Sequence, residues 1–367
     1  MDNVDLGRRI HEARTAKQWN QSQLAQALGM DRTTLAKIEA GQRKVSALDL
    51  IALSRELDRR IDWFLSAPSP AIAQHRGASE EELLLLPIDH HLDLLERNVR
   101  FLSDLGALRV AARPQVLRRP GNSDESEELG QKVRKLARLG KEDPVTDLVE
   151  VCEKLGLLVF ARNLGGDDAD AASVVDAGHG VALVNSDRAV GRRRLSAAHE
   201  LMHHMVDDRY QNDFMIYDHA SQHEIRIDHA ARAFLLPADP VHKMWQKYFE
   251  EDGTRSAAVR TASAFRVDMT TLASRLLELG HISADTADDI RDVRTRKGDI
   301  MQFGLVVPHD MEETVSPPSY EMAVIKAYLS EDITADRAVD LLEGRLTTED
   351  LPPRPTLDPS TLWSVLQ

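Results

Sequence analysis

The chain has 367 residues, with 46 Lys or Arg against 60 Asp or Glu for a formal net charge of -14, and 42% hydrophobic content. That length exceeds one ordinary core and predicts two to three domains, while the apolar content excludes a disordered chain. A single cysteine, Cys152, excludes an intrachain disulfide framework; the acidic start has no signal-peptide pattern and the aliphatic run Leu83 to Leu86 is far too short to span a bilayer, so a soluble cytoplasmic protein with no membrane partner is expected.

Leu6 to Ala16 reads as a helix, Gln21 to Gly29 as a short helix ended by glycine, and Asp31 as the cap of a third helix running through Glu39. Gly41 stops that helix, and Ala47 to Leu57 supplies a fourth, with Leu48, Ile51, Ala52 and Leu57 at helical spacing. The pattern Leu24-Ala25 through Gly29, Leu35, Ile38-Glu39 and Gly41 resembles the XRE, or lambda-repressor-like, helix-turn-helix family over residues 5 to 64. The resemblance implies an all-α domain on double-stranded DNA, the third helix in the major groove with Arg32, Thr33 and Lys37 at base edges. By the same carry-over Gln21, Gln42, Arg43 and Lys44 touch phosphates, and a homodimer on paired half-sites is the family's common arrangement. The alternative is a four-helix module that recruits a protein partner.

Charge separates this region from the rest. Residues 1–66 hold 11 Lys or Arg and 9 Asp or Glu, a net of +2, which leaves -16 on the remainder of the chain. DNA contact is therefore expected to be confined to the amino-terminal domain and to be salt-sensitive.

Residues 67–78, rich in Pro, Ala and Gly, read as a linker, and Glu80 to Leu108 as helical with a break at Pro87 and a stripe of Leu92, Leu95, Val99 and Leu102. Pro114 to Ser126 reads as a loop; Asp143-Pro144 caps a helix that Gly156 ends, and Leu157 to Ala161 is a strand. Cys152 falls in an apolar helical stretch and reads as core. The short apolar run Val181 to Asn185 is a second strand, a candidate sheet edge on which an extended substrate could pair.

The next helix carries His199-Glu200-Leu201-Met202-His203, in which two imidazoles four apart share a face and can clasp one Zn²⁺ while Glu200 takes a proton from water. A catalytic zinc takes three protein ligands, and Glu224, on the helical stretch His223 to Phe234, is the best candidate for the third. Asp228, one turn on, is placed to accept a hydrogen bond from the non-ligating nitrogen of His199 or His203. Tyr217, His219 and His223 are candidate oxyanion stabilisers by their position between the ligands, with ordinary loop residues as the alternative. The strand Val181 to Asn185, the approach Arg194-Leu195-Ser196-Ala197-Ala198, the histidine motif, and Glu224 and Asp228 before Leu236-Pro237 together resemble the ImmA/IrrE family of zinc metallopeptidases over residues 130 to 245. The resemblance implies a gluzincin-like fold with His199, His203 and Glu224 on zinc and Glu200 as general base or acid.

Downstream, Thr261 to Ile282 reads helix, turn, helix, with a packing role favoured over a second DNA reader because no basic patch accompanies it. Amphipathic helices near Tyr320 to Tyr328 and Thr334 to Leu342 precede a Pro-rich tail, which could lie over the peptidase cleft as a lid. The expected architecture is multidomain and mainly α with an α+β zincin core. Its segments are a helix-turn-helix domain (1–66), a connector (67–127), a gluzincin-like peptidase domain (128–250), a helical subdomain (251–297) and a helical carboxy-terminal region (298–367). Three functions fit: a DNA-binding regulator whose peptidase cleaves a regulatory protein or itself in a stress, mobile-element or toxin–antitoxin circuit; a non-hydrolytic ligand or metal sensor; and a peptidase effector restrained by a partner protein.

Overall fold

The computed structural model describes residues 2–17, 19–57, 59, 61–65, 87–165, 170–176, 179–207, 210–212 and 222–354, in two compact units, Met1–Glu96 and Arg97–Gln367. The expected linker at 67–78 and the stretch before Pro87 lie outside the described residues.

The first unit contains α1 (Asn3–Ala16), α2 (Gln21–Ala27), α3 (Arg32–Glu39), α4 (Ala47–Glu56) and α5 (Ile61–Leu65). Polar caps start four of them: the Asp2, Asn20, Asp31 and Ser46 side chains each accept from a first-turn N–H. Gly29 and Gly41 adopt φ of +66° and +71°, which lets the chain leave α2 and α3 without Cβ strain. Ile10, Leu24, Leu35, Ile38, Leu53 and Phe64 fill the core. Gly7 lets α1 and α3 touch through their backbones, because a Cβ there would sit 2.4 Å from the Ile38 carbonyl oxygen. On α4 Leu50 and Leu53 are buried, as is Leu57 just after it, which the spacing predicts; Leu48 is 78% exposed and Ile51 is exposed too, so those two expected apolar positions face outward.

In the second unit, α6 (Pro87–Asp104), which begins before the unit boundary, buries Leu92, Leu95, Val99 and Leu102 as its spacing predicts. The loop expected to reach Ser126 ends earlier: Asn122 accepts from the Glu125 N–H at 2.9 Å and starts α7 (Ser123–Leu136). Likewise α8 (Leu148–Lys154) is capped by Asp147, not Asp143, whose carbonyl accepts from the buried Arg134 guanidinium at 2.6 Å. Gly156, at φ +88°, then turns the chain into the sheet.

The sheet holds β1 (Leu157–Arg162), β2 (Ala171–Asp176), β3 (His179–Asn185) and β4 (Tyr210–Asn212) in the order β1-β3-β2-β4. β3 pairs parallel to β1, with Leu158 opposite Val181, and antiparallel to β2, with Ala171 opposite Val184. The expected edge strand Val181 to Asn185 is thus central. Its uninterrupted apolar run is the reason: residues buried on both faces suit a strand flanked on both sides. The short β4, antiparallel to β2, forms one border of the sheet.

Against the sheet lies α9 (Val190–Met205); α10 (Gln222–Leu235) packs on α9 and α7, and beyond it come α11 (Ala238–Phe265, kinked at Gly253), α12 (Met269–Glu278), α13 (Ala284–Arg291) and α14 (Lys297–Phe303). One apolar cluster runs from Leu117 through Phe234 and Leu276 to Met311, so it includes side chains on both sides of residue 250. α7 and α10 approach closely at Gly130, where a Cβ would fall 2.7 Å from the Ala230 carbonyl oxygen. The helix-turn-helix around Phe265 packs, as favoured: Leu272 and Leu276 are buried, and the buried Arg275 donates to the Leu236 carbonyl at 2.8 Å and pairs with Glu127 at 2.7 Å.

The carboxy-terminal part forms α15 (Pro318–Leu329) and α16 (Ala335–Leu341). Residues of this part cover the outer edge of β1: Val315 bridges Ala161, Arg162 pairs with Glu343, and Tyr320 stacks edge-on against Phe160 at 5.0 Å; the tail expected as a lid lies outside the described residues from position 355 on. β1 carries unpaired backbone groups on that side, and covering them prevents edge pairing with another chain. No described helix is long and apolar enough to cross a membrane.

Candidate metal centre

α9 positions the histidine motif, and the tertiary structure fixes both of its ends. At its carboxy-terminal end the Arg113 guanidinium donates to the His204 carbonyl and pairs with Asp207 at 2.7 Å, while the Leu117 N–H donates to the Met205 carbonyl at 2.8 Å. A cation and an N–H there satisfy the last carbonyls and complement the helix dipole. Further up the helix the buried Arg194 pairs with Asp310 and donates to the Val145 carbonyl. Residues 193 to 205 are buried throughout, because one side of α9 faces β2 and β3 and another faces α10.

The helical period places His199 and His203 on the α10 side. Their Nε2 atoms lie 2.9 Å apart, and Glu224 Oε2 lies 3.3 Å and 3.2 Å from them respectively. All three ligand atoms fall within 4.8 Å of one another, and this is the one such cluster among the described residues. A tetrahedron with metal–ligand bonds of about 2.0–2.1 Å has edges of about 3.3 Å, so these separations fit a small divalent cation. The donors fit as well: two imidazoles and one carboxylate form the borderline set that Zn²⁺ takes, with no thiolate nearby to complete a closed structural site.

Asp228, one turn beyond Glu224 on α10, accepts from His199 Nδ1 at 2.8 Å. That bond places the proton on Nδ1 and turns the Nε2 lone pair toward His203 and Glu224. Burial pushes the Asp228 and Glu224 carboxyls up, but the hydrogen bonds and charges around them outweigh it. Asp228 is held at about 2 and Glu224 well below the usual carboxylate range, so both are anions at neutral pH.

Glu200, next to His199 on the helix, reaches the sheet side of α9. Its side chain is wholly buried, and Oε2 accepts from the hydroxyl of Ser173 on β2. Ser173 escaped the sequence reading, since a lone serine in an apolar strand carries no local signal; its inward register position opposite Ala182 and Gln211 is the feature that places it. His204, after the motif, serves the core: burial pushes it down to about 4, and its Nε2–H donates to the Leu155 carbonyl at 3.1 Å. Gly180 makes room for it, as a Cβ there would lie 2.7 Å from His204 Nδ1. Of the three candidate oxyanion stabilisers, Tyr217 and His219 lie outside the described residues, and the His223 ring stands 5.8 Å from that of His203.

In the amino-terminal unit Arg32, Thr33 and Lys37 are exposed along α3, and Gln42, Arg43 and Lys44 are exposed just after Gly41. Arg43 donates to the Thr34 hydroxyl at 3.1 Å. Gln21 has an intramolecular partner that its sequence position did not disclose: its amide donates to Glu39 Oε2 at 2.9 Å. Glu39 also binds Arg14 at 2.6 Å, so one carboxylate joins α1, α2 and α3.

Comparison with known proteins places both regions. Residues 10–64 match the helix-turn-helix family model, and residues 152–277 match the model of the IrrE N-terminal-like domain. The chain is 30% identical over 77 residues to an uncharacterized HTH-type transcriptional regulator of Rickettsia conorii, a match covering 19% of this chain and 62% of that protein. The crystal structure of ComR from Streptococcus suis aligns over 100% of this chain and 96% of that one at 12% identity, with a TM-score of 0.17 that has no bearing on the fold.

Proposed function

We propose that the chain is a DNA-binding regulator carrying a zinc-dependent endopeptidase, a reading supported by the matches to the helix-turn-helix and IrrE N-terminal-like domain models. The observation that carries this reading is the convergence of His199, His203 and Glu224 with Glu200 next in sequence on the same helix. His199, His203 and Glu224 would hold the ion, with Asp228 fixing the His199 tautomer. Zn²⁺, when bound, supplies Lewis acidity that makes water a nucleophile at neutral pH and polarises a peptide carbonyl. Glu200 takes the proton from the attacking water and delivers it to the leaving amine, and Ser173 orients its carboxylate by donating to Oε2. A sensor that only binds metal or ligand has no use for a buried glutamate at this position, which favours hydrolysis over the non-catalytic reading.

On the DNA side, α3 enters the major groove with Arg32, Thr33 and Lys37 at base edges, and Gln42, Arg43 and Lys44 track phosphates; Gln21 contributes through whatever its bond to Glu39 leaves available. Two copies on paired half-sites would raise the affinity of a domain whose net charge is only +2. The substrate is a regulatory protein, or the chain itself, so that cleavage alters expression at the bound site. Glu200→Gln tests the chemistry: metal analysis should show zinc retained. Amino-terminal peptide profiling of cells producing wild type or variant should show cleavage products in wild type alone. Identical product sets would sink the hydrolytic reading.

A further inference from the structure

A cavity of about 410 Å³ lies in the second unit between the start of α9, the turn from α11 to α12, and the segment after α14. Its volume is within the ~300–1,000 Å³ range of small-molecule sites. Val190, Val267, Met269, Ile300, Val306 and Val307 give it an apolar wall, and Val306 and Val307 remain 50% exposed, an unusual position for adjacent valines with a hollow beside them.

The charge in this cavity is one-sided. Arg266, Arg291 and Arg294 line it, Arg291 being paired with Asp288, while Asp268 is the one acidic side chain in the lining and is spent on the Thr271 N–H at 2.7 Å as the cap of α12. Arg294 makes no ion pair among the described residues. Arg266 donates to the Thr146 carbonyl at 2.8 Å and stands 4.0 Å from Asp310. An apolar hollow with the Arg294 guanidinium at its rim is complementary to a molecule with a hydrocarbon or aryl body and one carboxylate.

We propose that this cavity binds a small apolar carboxylate. The site is separate from the metal centre, yet its walls reach the same helix: Ala189, Val190 and Gly191 open α9, and the 305–308 wall leads into Asp310, which grips Arg194 on α9. Gly191 is packed without slack there, since a Cβ would meet the Asp268 nitrogen at 2.3 Å. Binding does not depend on whether the metal centre hydrolyses peptides.

Calorimetric titration of the full chain with octanoate, octanamide, 4-phenylbutyrate and inorganic phosphate tests the proposal. Expected is saturable one-to-one binding of octanoate or 4-phenylbutyrate, with octanamide and phosphate each weaker by about tenfold or more. Arg294→Ala should weaken the carboxylates about tenfold, and Val307→Asp should abolish their binding. Both positions are at least half exposed or at the surface, so the fold tolerates these changes, and an unchanged melting temperature verifies that. Absence of saturable binding by both carboxylates overturns the proposal. So does equal binding of phosphate, or binding that neither variant changes.

Discussion

The two halves of this molecule keep their chemistry in opposite places. In the helix-turn-helix unit the proposed base readers Arg32, Thr33 and Lys37 are exposed on α3, and the core beneath them is mostly apolar, with Arg9 and the Arg14–Glu39 pair as its buried charges. In the peptidase-like unit His199, Glu200 and His203 are buried, and each is held by a partner from outside α9, Asp228 and Glu224 on α10 and Ser173 on β2. Function on a surface leaves stability and activity separable. Function inside a core couples them, because each polar group there must be satisfied or its desolvation costs stability.

That contrast can be attacked from the interior first. His203→Ala removes a central ligand, and the expected result is loss of bound zinc, measured by metal analysis, together with a lower melting temperature in the presence of zinc; retained stoichiometric zinc would break the proposed ligand set. Gly130→Ala pushes a methyl into the Ala230 carbonyl and the Phe234 nitrogen of α10 and should destabilise the second unit by about 1–3 kcal/mol in urea titration, without touching a ligand.

A change on the exposed face should do the reverse. Arg32→Ala is expected to weaken specific DNA binding by about 1–3 kcal/mol in a salt-controlled gel shift, with the melting temperature unchanged. Unaltered binding would favour the protein-recruiting alternative for this unit. The Glu127–Arg275 pair offers the finest distinction. Burial raises the Glu127 carboxyl, but its bonds to His229 and Arg275 win and hold it at about 2. Its folded value lies below the unfolded one, so its contribution is present above about pH 4.5 and is lost as pH falls toward 2. Glu127→Gln should remove on the order of 2 kcal/mol of stability at pH 7 and flatten that acid limb, read by urea midpoints across pH.

Much of the architecture was legible wherever a signal is short in sequence. Asp31, Gly29 and Gly41 marked the edges of α2 and α3, and the stripe Leu92, Leu95, Val99, Leu102 marked the buried side of α6. The ligand spacing was legible for the same reason: a helix of 3.6 residues per turn places residues 199 and 203 on one face whatever surrounds it. The misreadings share a cause as well. Asp143 and Asp147 are equally plausible caps locally, and only the Arg134 bond to the Asp143 carbonyl separates them. Leu48 and Leu50 are both apolar on α4, and the neighbouring helices decide which one is buried.

By itself, then, the order of residues determined the helices with strong caps, the spacing of the two histidines, the carboxylates one turn apart at 224 and 228, and the charge split between the ends of the chain. Tertiary structure alone decided that β3 is central, that Ser173 reaches Glu200 from a strand 27 residues earlier, and that Val315 and Glu343 meet the outer edge of β1. The physical reason is range. Caps and helical periods are settled by bonds within a few residues, whereas strand order and buried partners depend on which distant surfaces bury the most apolar area while leaving no polar group unsatisfied.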